Sequence, residues 1–374
     1  MERNCMIIKV SKKDGDLEKI QDAIDQVPED GRAIIHIGEG VFREKLFCRK
    51  KDITFEGEGA QKTVIDFDDC ANQIMEDGSK RGTFRSYTAF FGGGKVTVRD
   101  LSISNSAGDG REVGQALAVY ADADICLFEN VRLIGRQDTL FCAPLPAAER
   151  QKGGFKGPGE GVPRRLTKQY YRKCLIKGDV DFIFGGADAV FDDCDIIVCN
   201  REGVDHSKEG GHESDPSHMT LRDQSERPAA TLDKDQIDTA ERFVNGYVTA
   251  ACTDGDNLGF VFKNCRVRGE KGCAEGSVFL GRPWREKAKT VFINCIMDDT
   301  IAKERFSGWG GITKDEPLTY YGEYGTRLMG DAALVDLSGK NYWIKDIDEV
   351  AAQAILRRAD EVIGACCKRG ESGL

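Results

Sequence analysis

One six-residue pattern recurs six times and constrains the fold of this chain more than any other feature. VRDLSI (98–103), FENVRL (128–133), YRKCLI (171–176), FDDCDI (191–196), FKNCRV (262–267) and FINCIM (292–297) share one template. An apolar or aromatic residue comes first, then two spacers, a small apolar residue, one spacer and an aliphatic residue. The third position is Asp100, Asn130, Lys173, Asp193, Asn264 or Asn294. Asn and Asp tolerate the left-handed backbone of a tight bend, so each unit reads as strand, bend, strand. Successive units start 30, 43, 20, 71 and 30 residues apart, which suits coils of roughly 20 to 30 residues with insertions in the longer gaps. A coil of that size cannot bury an apolar face alone and must stack on its neighbours. The pattern therefore predicts an all-β chain wound into a right-handed parallel β-helix solenoid. A β-propeller, the nearest competitor, needs more even spacing.

A length of 374 residues ordinarily suggests two or three domains; the repeat instead predicts one solenoid domain over 1–374. Solenoid ends need caps. Leu17, Ile20, Ile24 and Val27 recur at helical spacing before Pro28, predicting a short capping helix over 16–27. Val350, Ala354, Ile355, Val362 and Ile363 predict a second one over the last coil. Residues 143–168, rich in Gly, Pro and charge, and the polar stretch 201–242 break the repeat and read as surface insertions.

Composition narrows the function. Hydrophobic residues make up 40% and charged residues 31%, enough for a large core, and no run of about 18 apolar residues exists for a membrane span. Lys and Arg total 53 against 63 for Asp and Glu, a net charge of −10 with no basic block, which argues against nucleic acid. No secretory signal is read at the start, so a cytoplasmic location is expected, or an extracellular one if a signal has been removed, and a monomer is expected as well. Of 14 cysteines, none has Cys-x-x-Cys spacing, so no zinc site is expected. Cys174, Cys194, Cys265 and Cys295 fall at the small position of the template and should form an internal ladder. The four histidines are His36, in an apolar run, and His206, His212 and His218 in the second insertion, a poor basis for Ser-His-Asp chemistry. Nucleophile-elbow and phosphate-loop motifs are absent.

What remains is a set of amides and carboxylates inside apolar strands: Gln115 in GQALAV, Gln137 and Asp138 in QDTLF, and Asp181 in VDFIFGGA. Taken singly, each suits a side chain that merely bonds neighbouring backbone. Coil arithmetic groups them. Gln115 and Gln137 are 22 residues apart, one coil, and Asp138 and Asp181 are 43 apart, one coil plus the first insertion. Three rungs would then present Gln, Gln-Asp and Asp in one column.

GQALAV, GRQDTLF, GDVDFIFGGADAVFDDCDI and LGRPWREKAKTVFINC resemble the pectin methylesterases, carbohydrate esterases built on a right-handed parallel β-helix. The likeness runs in order from DLEKIQDAIDQVP through GEGVFREKL and ITFEGEGAQKTVID to YYGEYG (320–325), sparing only the insertions. It implies hydrolysis of methyl-esterified oligo- or polygalacturonate, with no cofactor and no metal. It also implies Asp181 as nucleophile, Asp138 as general acid/base, Gln115 and Gln137 as oxyanion donors, and Arg282 as the cation holding Asp181. Trp284, Phe184 and Phe42 are implied at the sugar, Phe42 where the family usually has Tyr. In that reading Asp138, next to a second carboxylate, carries the proton that Asp181 lacks. The alternatives are an esterase or thioesterase acting on another substrate, a pectate lyase or glycosidase on the same solenoid, or a non-catalytic carbohydrate binder; paired glutamines fit neither lyase nor glycosidase. The first insertion leaves just after Asp138 and returns just before Asp181. It is therefore expected to wall one end of the groove and favour short, highly methylated chains.

Overall fold

The computed structural model describes residues 5–201, 243–313, 318–331 and 333–368. Among them the strands form one 16-stranded and one 9-stranded sheet, paired in parallel from coil to coil. A coil contributes a strand to each: Phe128 and Tyr171 pair in the larger sheet, then Leu133 and Ile176 in the smaller. This is the parallel β-helix that the repeat predicts.

The bend residue of the template explains the turn from sheet to sheet. Asp100, Asn130, Lys173, Asp193, Asn264 and Asn294 all have positive φ, between 51° and 56°. Short polar side chains tolerate that backbone and bond locally; Asn130 Nδ2 donates to Asp100 Oδ1 of the coil below at 2.6 Å. Just inside each bend, the first template residue stacks on its counterpart. The rings of Phe128, Tyr171, Phe191, Phe262 and Phe292 lie nearly parallel with centroids 4.4–4.9 Å apart, the spacing of adjacent strands. The cysteine ladder forms beside them. Cys174, Cys194, Cys265 and Cys295 are buried free thiols that donate to carbonyls of the preceding coil at 3.4–3.6 Å.

Helix α1 (Ile20–Gln26) covers the first coil and is shorter than expected. Leu17 is still engaged in an extended bridge to Val10, and the helix begins where both carboxylate oxygens of Glu44 accept from Ile20 N and Gln21 N. A negative charge at that end suits the helix dipole. A one-turn helix, α2 (Gly110–Val113), follows the Ser102–Asn105 strand. The C-terminal helix α3 (Glu349–Cys367) corrects an expectation: it is 19 residues long and runs along the side of the solenoid. Its Ala359, Val362 and Cys366 pack on Tyr170, Val190 and Val261, and its Ala352 on Val291 and Ile293. Those strands are apolar on their outer face as well as their inner one, so they need a cover, and Tyr320 and Tyr324 of the later strand Tyr320–Tyr324 join the same packing. Residues 202–242, with His206, His212 and His218, lie outside the described residues.

Candidate active site

The site occupies the outer face of the larger sheet, on the row of strands Val119–Ala121, Leu140–Cys142, Val180–Gly185 and Gly246–Ala251. Side chains alternate across these strands. Val119, Leu140 and Ile183 point into the core, whereas Tyr120, Phe141 and Phe184 point outward and form a second apolar cluster with Phe84, Tyr87 and Phe90.

Gln115, Gln137 and Asp138 enter this row just before their strands begin, and Asp181 is the second residue of its strand. Backbone bonds give their register. Ala116 N donates to Gln137 O at 3.1 Å, placing the two glutamines on adjacent rungs, and Asp138 N donates to Val180 O at 3.0 Å, placing Asp138 beside Asp181. The intervening 43 residues are therefore one coil plus an insertion, because Leu140 pairs with Ile183 at the same offset. Asp138 and Asp181 both have positive φ, 64° and 49°. A non-glycine residue held there is a local departure from the strand, and here it lies at both carboxylates. Gln137, Asp138 and Asp181 are 2%, 8% and 6% exposed, and Gln115 is half-buried.

Arg282 grips Asp181 with both arms, Nε to Oδ1 at 2.9 Å and Nη2 to Oδ2 at 2.7 Å. Its guanidinium lies between the rings of Tyr247 and Trp309, 4.0 and 4.2 Å from their centroids. Burial works against the charge of Arg282, but the carboxylate of Asp181 more than offsets it and raises the arginine above its ordinary value. A buried carboxylate needs such a partner to remain charged. Trp284 packs at the edge of Phe184, 5.9 Å between centroids, and Phe184 tilts on Phe141 at 4.9 Å.

The glutamine row is supported from beside. A Cβ on Gly110 would lie 2.5 Å from Gln137 Oε1 and 2.8 Å from its Cβ, so α2 presses its bare backbone against that side chain. The helix is fixed there by Asp109, whose carboxylate caps Arg111 N and takes Arg111 Nε and Nη2. Burial pushes Asp109 up, but those bonds and the charge of Arg111 prevail and hold it at about 2.

The structure thus brings together Gln115, Gln137, Asp138, Asp181, Arg282, Trp284 and Phe184. It does not bring Phe42 to them. Phe42 is 1% exposed in the solenoid core, paired with Ile65 on the smaller sheet, while its neighbour Val41 is 56% exposed. Strand alternation turns that ring inward, so a direct contact with sugar is withdrawn. Sequence reasoning missed Tyr247 and Trp309. Tyr247 is the rung partner of Val180 but lies beyond the second insertion, where coil counting fails, and Trp309 follows no repeat, so neither had a signal.

The first insertion lies on the outward aromatic cluster. Phe155 meets Phe84 edge-on at 5.9 Å, Arg49 Nη2 reaches Pro158 O at 2.7 Å, and a Cβ on Gly159 would touch the Tyr120 hydroxyl at 2.4 Å. Arg165 ties it to Asp122 and Asp124.

The fold and site together define a class, a parallel β-helix carrying two buried carboxylates, two amides and an arginine on one outer row. Comparison with known proteins narrows the class: a family model for Pectinesterase matches residues 7–151, 160–210 and 237–348, and the chain belongs to that family. It is 31% identical over 358 residues to a probable pectinesterase/pectinesterase inhibitor 64 of Arabidopsis thaliana, covering 92% of this chain and 48% of that one. The chain thus spans about half the length of that relative. Among solved structures it is similar to the pectin methylesterase from carrot, with TM-score 0.64, 24% identity and coverage of 99% and 98%. It is also similar to a pectin methylesterase in complex with a hexasaccharide, with TM-score 0.67, 22% identity and coverage of 99% and 98%.

Proposed function

We propose that this protein hydrolyses the methyl esters of methyl-esterified galacturonate chains, releasing methanol and leaving free acid. The observation that carries this reading is the buried Asp181 carboxylate held two-handed by Arg282, one rung from Asp138. In this reading one oxygen of Asp181 attacks the ester carbonyl carbon, and the carbonyl electrons move onto oxygen. The amides of Gln115 and Gln137 are the donors for that oxyanion. The tetrahedral species collapses, the bond to methoxide breaks, and Asp138 gives its proton to form methanol. Asp138 then takes a proton from water as the water attacks the acyl anhydride, which frees the product acid and restores Asp181. Arg282 holds and orients the attacking carboxylate through two bonds, and Trp284 and Phe184 offer faces to the pyranose ring.

Short methylated chains are the proposed substrates. The support is the first insertion lying on the aromatic surface beside the site. A cytoplasmic, monomeric enzyme meeting imported oligosaccharides fits that preference. The test of the activity is to supply methylated oligogalacturonide and follow methanol, titratable acid and ultraviolet absorbance together. Methanol and acid rising in equal amounts, without absorbance from an unsaturated product, are expected. Absorbance without methanol would establish a lyase instead.

A further inference from the structure

The strand that carries Asp181 is irregular at the nucleophile. Ile183 stands three residues beyond Val180, whereas their rung partners Tyr247 and Thr249 are two apart. The extra residue is a β-bulge, which bends a strand and re-aims a side chain. Asp181 lies within it, at a φ of 49°. A bulge disturbs the ladder of backbone bonds, and a buried N–H there needs an acceptor from elsewhere. Val180 N has one in Oδ1 of Asp179, at 2.8 Å.

Asp179 is 1% exposed, and no step of the esterase reaction uses its carboxylate. Its other oxygen, Oδ2, accepts no hydrogen bond among the described residues and lies 3.5 Å from Arg136 Nη1. Burial pushes the Asp179 carboxyl above its ordinary value, and the charges of Arg201, itself 7% exposed, and of Arg136 work against that rise. A buried carboxylate costs more than a neutral acceptor of the same shape, so a charge here calls for a reason beyond filling space.

The backbone around it supplies one. Asp179 N donates to Arg136 O at 3.1 Å, one residue before Gln137, and Val180 O accepts from Asp138 N at 3.0 Å. Asp179 O accepts from Tyr247 N at 3.0 Å, and the Tyr247 ring lies against the Arg282 guanidinium at 4.0 Å. Asp179 and Val180 are thus one bond from the rungs that carry Gln137, Asp138 and the aromatic seat of Arg282. A charge-assisted bond across this junction holds it more firmly than a neutral one.

We propose that the Asp179 carboxylate is a positioning residue for Asp181: set between Arg136 and Arg201, it binds the Val180 N–H and so fixes the bulge that presents Asp181 to Arg282 and to the ester. Its consequence for rate rests on the esterase reading; its hold on the bulge does not.

The test compares the unchanged protein with Asp179→Ala, which removes the acceptor, and Asp179→Asn, which keeps an acceptor of the same shape without the charge. Methanol release from a methylated trisaccharide gives kcat and KM, urea unfolding gives stability, and crystal structures give the backbone at Asp181. Asp179→Ala is expected to lower kcat by about 10- to 150-fold, the effect of one charge-assisted bond, with KM within about twofold. Its Asp181 should leave the positive-φ region or lose one of its two bonds to Arg282. Asp179→Asn should recover most of the loss and remain about 3- to 12-fold below the native kcat, because a neutral bond is about half as strong. A folded Asp179→Ala with the native kcat, however destabilised, would overturn the proposal and leave Asp179 a purely structural residue. If Asp179→Ala fails to fold, Asp179→Asn decides: the several-fold loss in kcat at unchanged KM upholds the proposal, and a native kcat overturns it. If the unchanged protein releases no methanol, the esterase reading fails by itself, and the crystal structures still decide. Asp181 displaced in either variant would then uphold the positioning role, and Asp181 unmoved in both would overturn it.

Discussion

Replacing Arg282 by lysine keeps the charge at Asp181 and removes the fork that makes two bonds to it. The native pair has contacts at 2.9 and 2.7 Å, and an ammonium on a shorter, differently shaped stem can supply one of them. The loss is one charge-assisted bond to a buried carboxylate, about 1.5–3 kcal/mol. If that bond orients the attacking oxygen, kcat should fall by about 10- to 150-fold. Arg282→Met removes the cation altogether and leaves Asp181, 6% exposed, as an unpaired charge. Breaking a buried pair from one side costs about 3–5 kcal/mol. Adding Asp181→Asn to Arg282→Met should recover most of that stability, because no buried carboxylate is then left without its partner. Urea unfolding of the three variants gives the stabilities, and methanol release from a methylated trisaccharide gives the rates. A lysine variant turning over at the native rate, or a double variant no more stable than Arg282→Met, would refute this account of the pair.

Three further outcomes are expected. Gly110→Ala should lower kcat with little change in KM, toward the roughly 100- to 1,000-fold loss of a missing oxyanion donor, because the new methyl would fall on Gln137 Oε1; native kinetics would separate α2 from catalysis. Asp109 is held at about 2, below its unfolded value, so its contribution to stability is present above pH about 4 and is lost as pH falls through about 2. Asp109→Asn should flatten the acid limb of the stability profile in that window and leave the neutral limb parallel to the native one; urea midpoints across pH 2–7 check this. Replacing the 143–168 insertion by a short turn should raise turnover on polymeric pectin relative to methylated trisaccharide, and an unchanged ratio would dismiss the insertion as a wall.

The solenoid was legible in the sequence because its determinants are local and repeated. Six bend residues, five stacked rings and four thiols each occupy one template position, and each has one structural role. The column of glutamines and aspartates was legible for the same reason: in a solenoid, sequence separation divided by coil length gives position along the axis. What a coil count leaves open is which face a side chain takes and what lies across a gap in the repeat. Phe42 could be placed on its coil, and strand alternation then turned it inward rather than toward the groove. α3 was visible as an amphipathic segment, but its target is the apolar outer face of Tyr170, Val190 and Val261, set by three separate coils. Trp309 lies outside the template and reaches the site only by tertiary packing.

The most direct test of the central claim is methanol release by Asp181→Asn on a methylated oligogalacturonide, with folding checked by its unfolding transition. The substitution keeps the shape of the side chain and its place against Arg282 but removes the nucleophilic charge. The account predicts a folded protein that still binds the oligosaccharide and releases methanol at no more than a trace of the native rate. A folded variant releasing methanol at close to the native rate would contradict the assignment of Asp181 and the mechanism built on it.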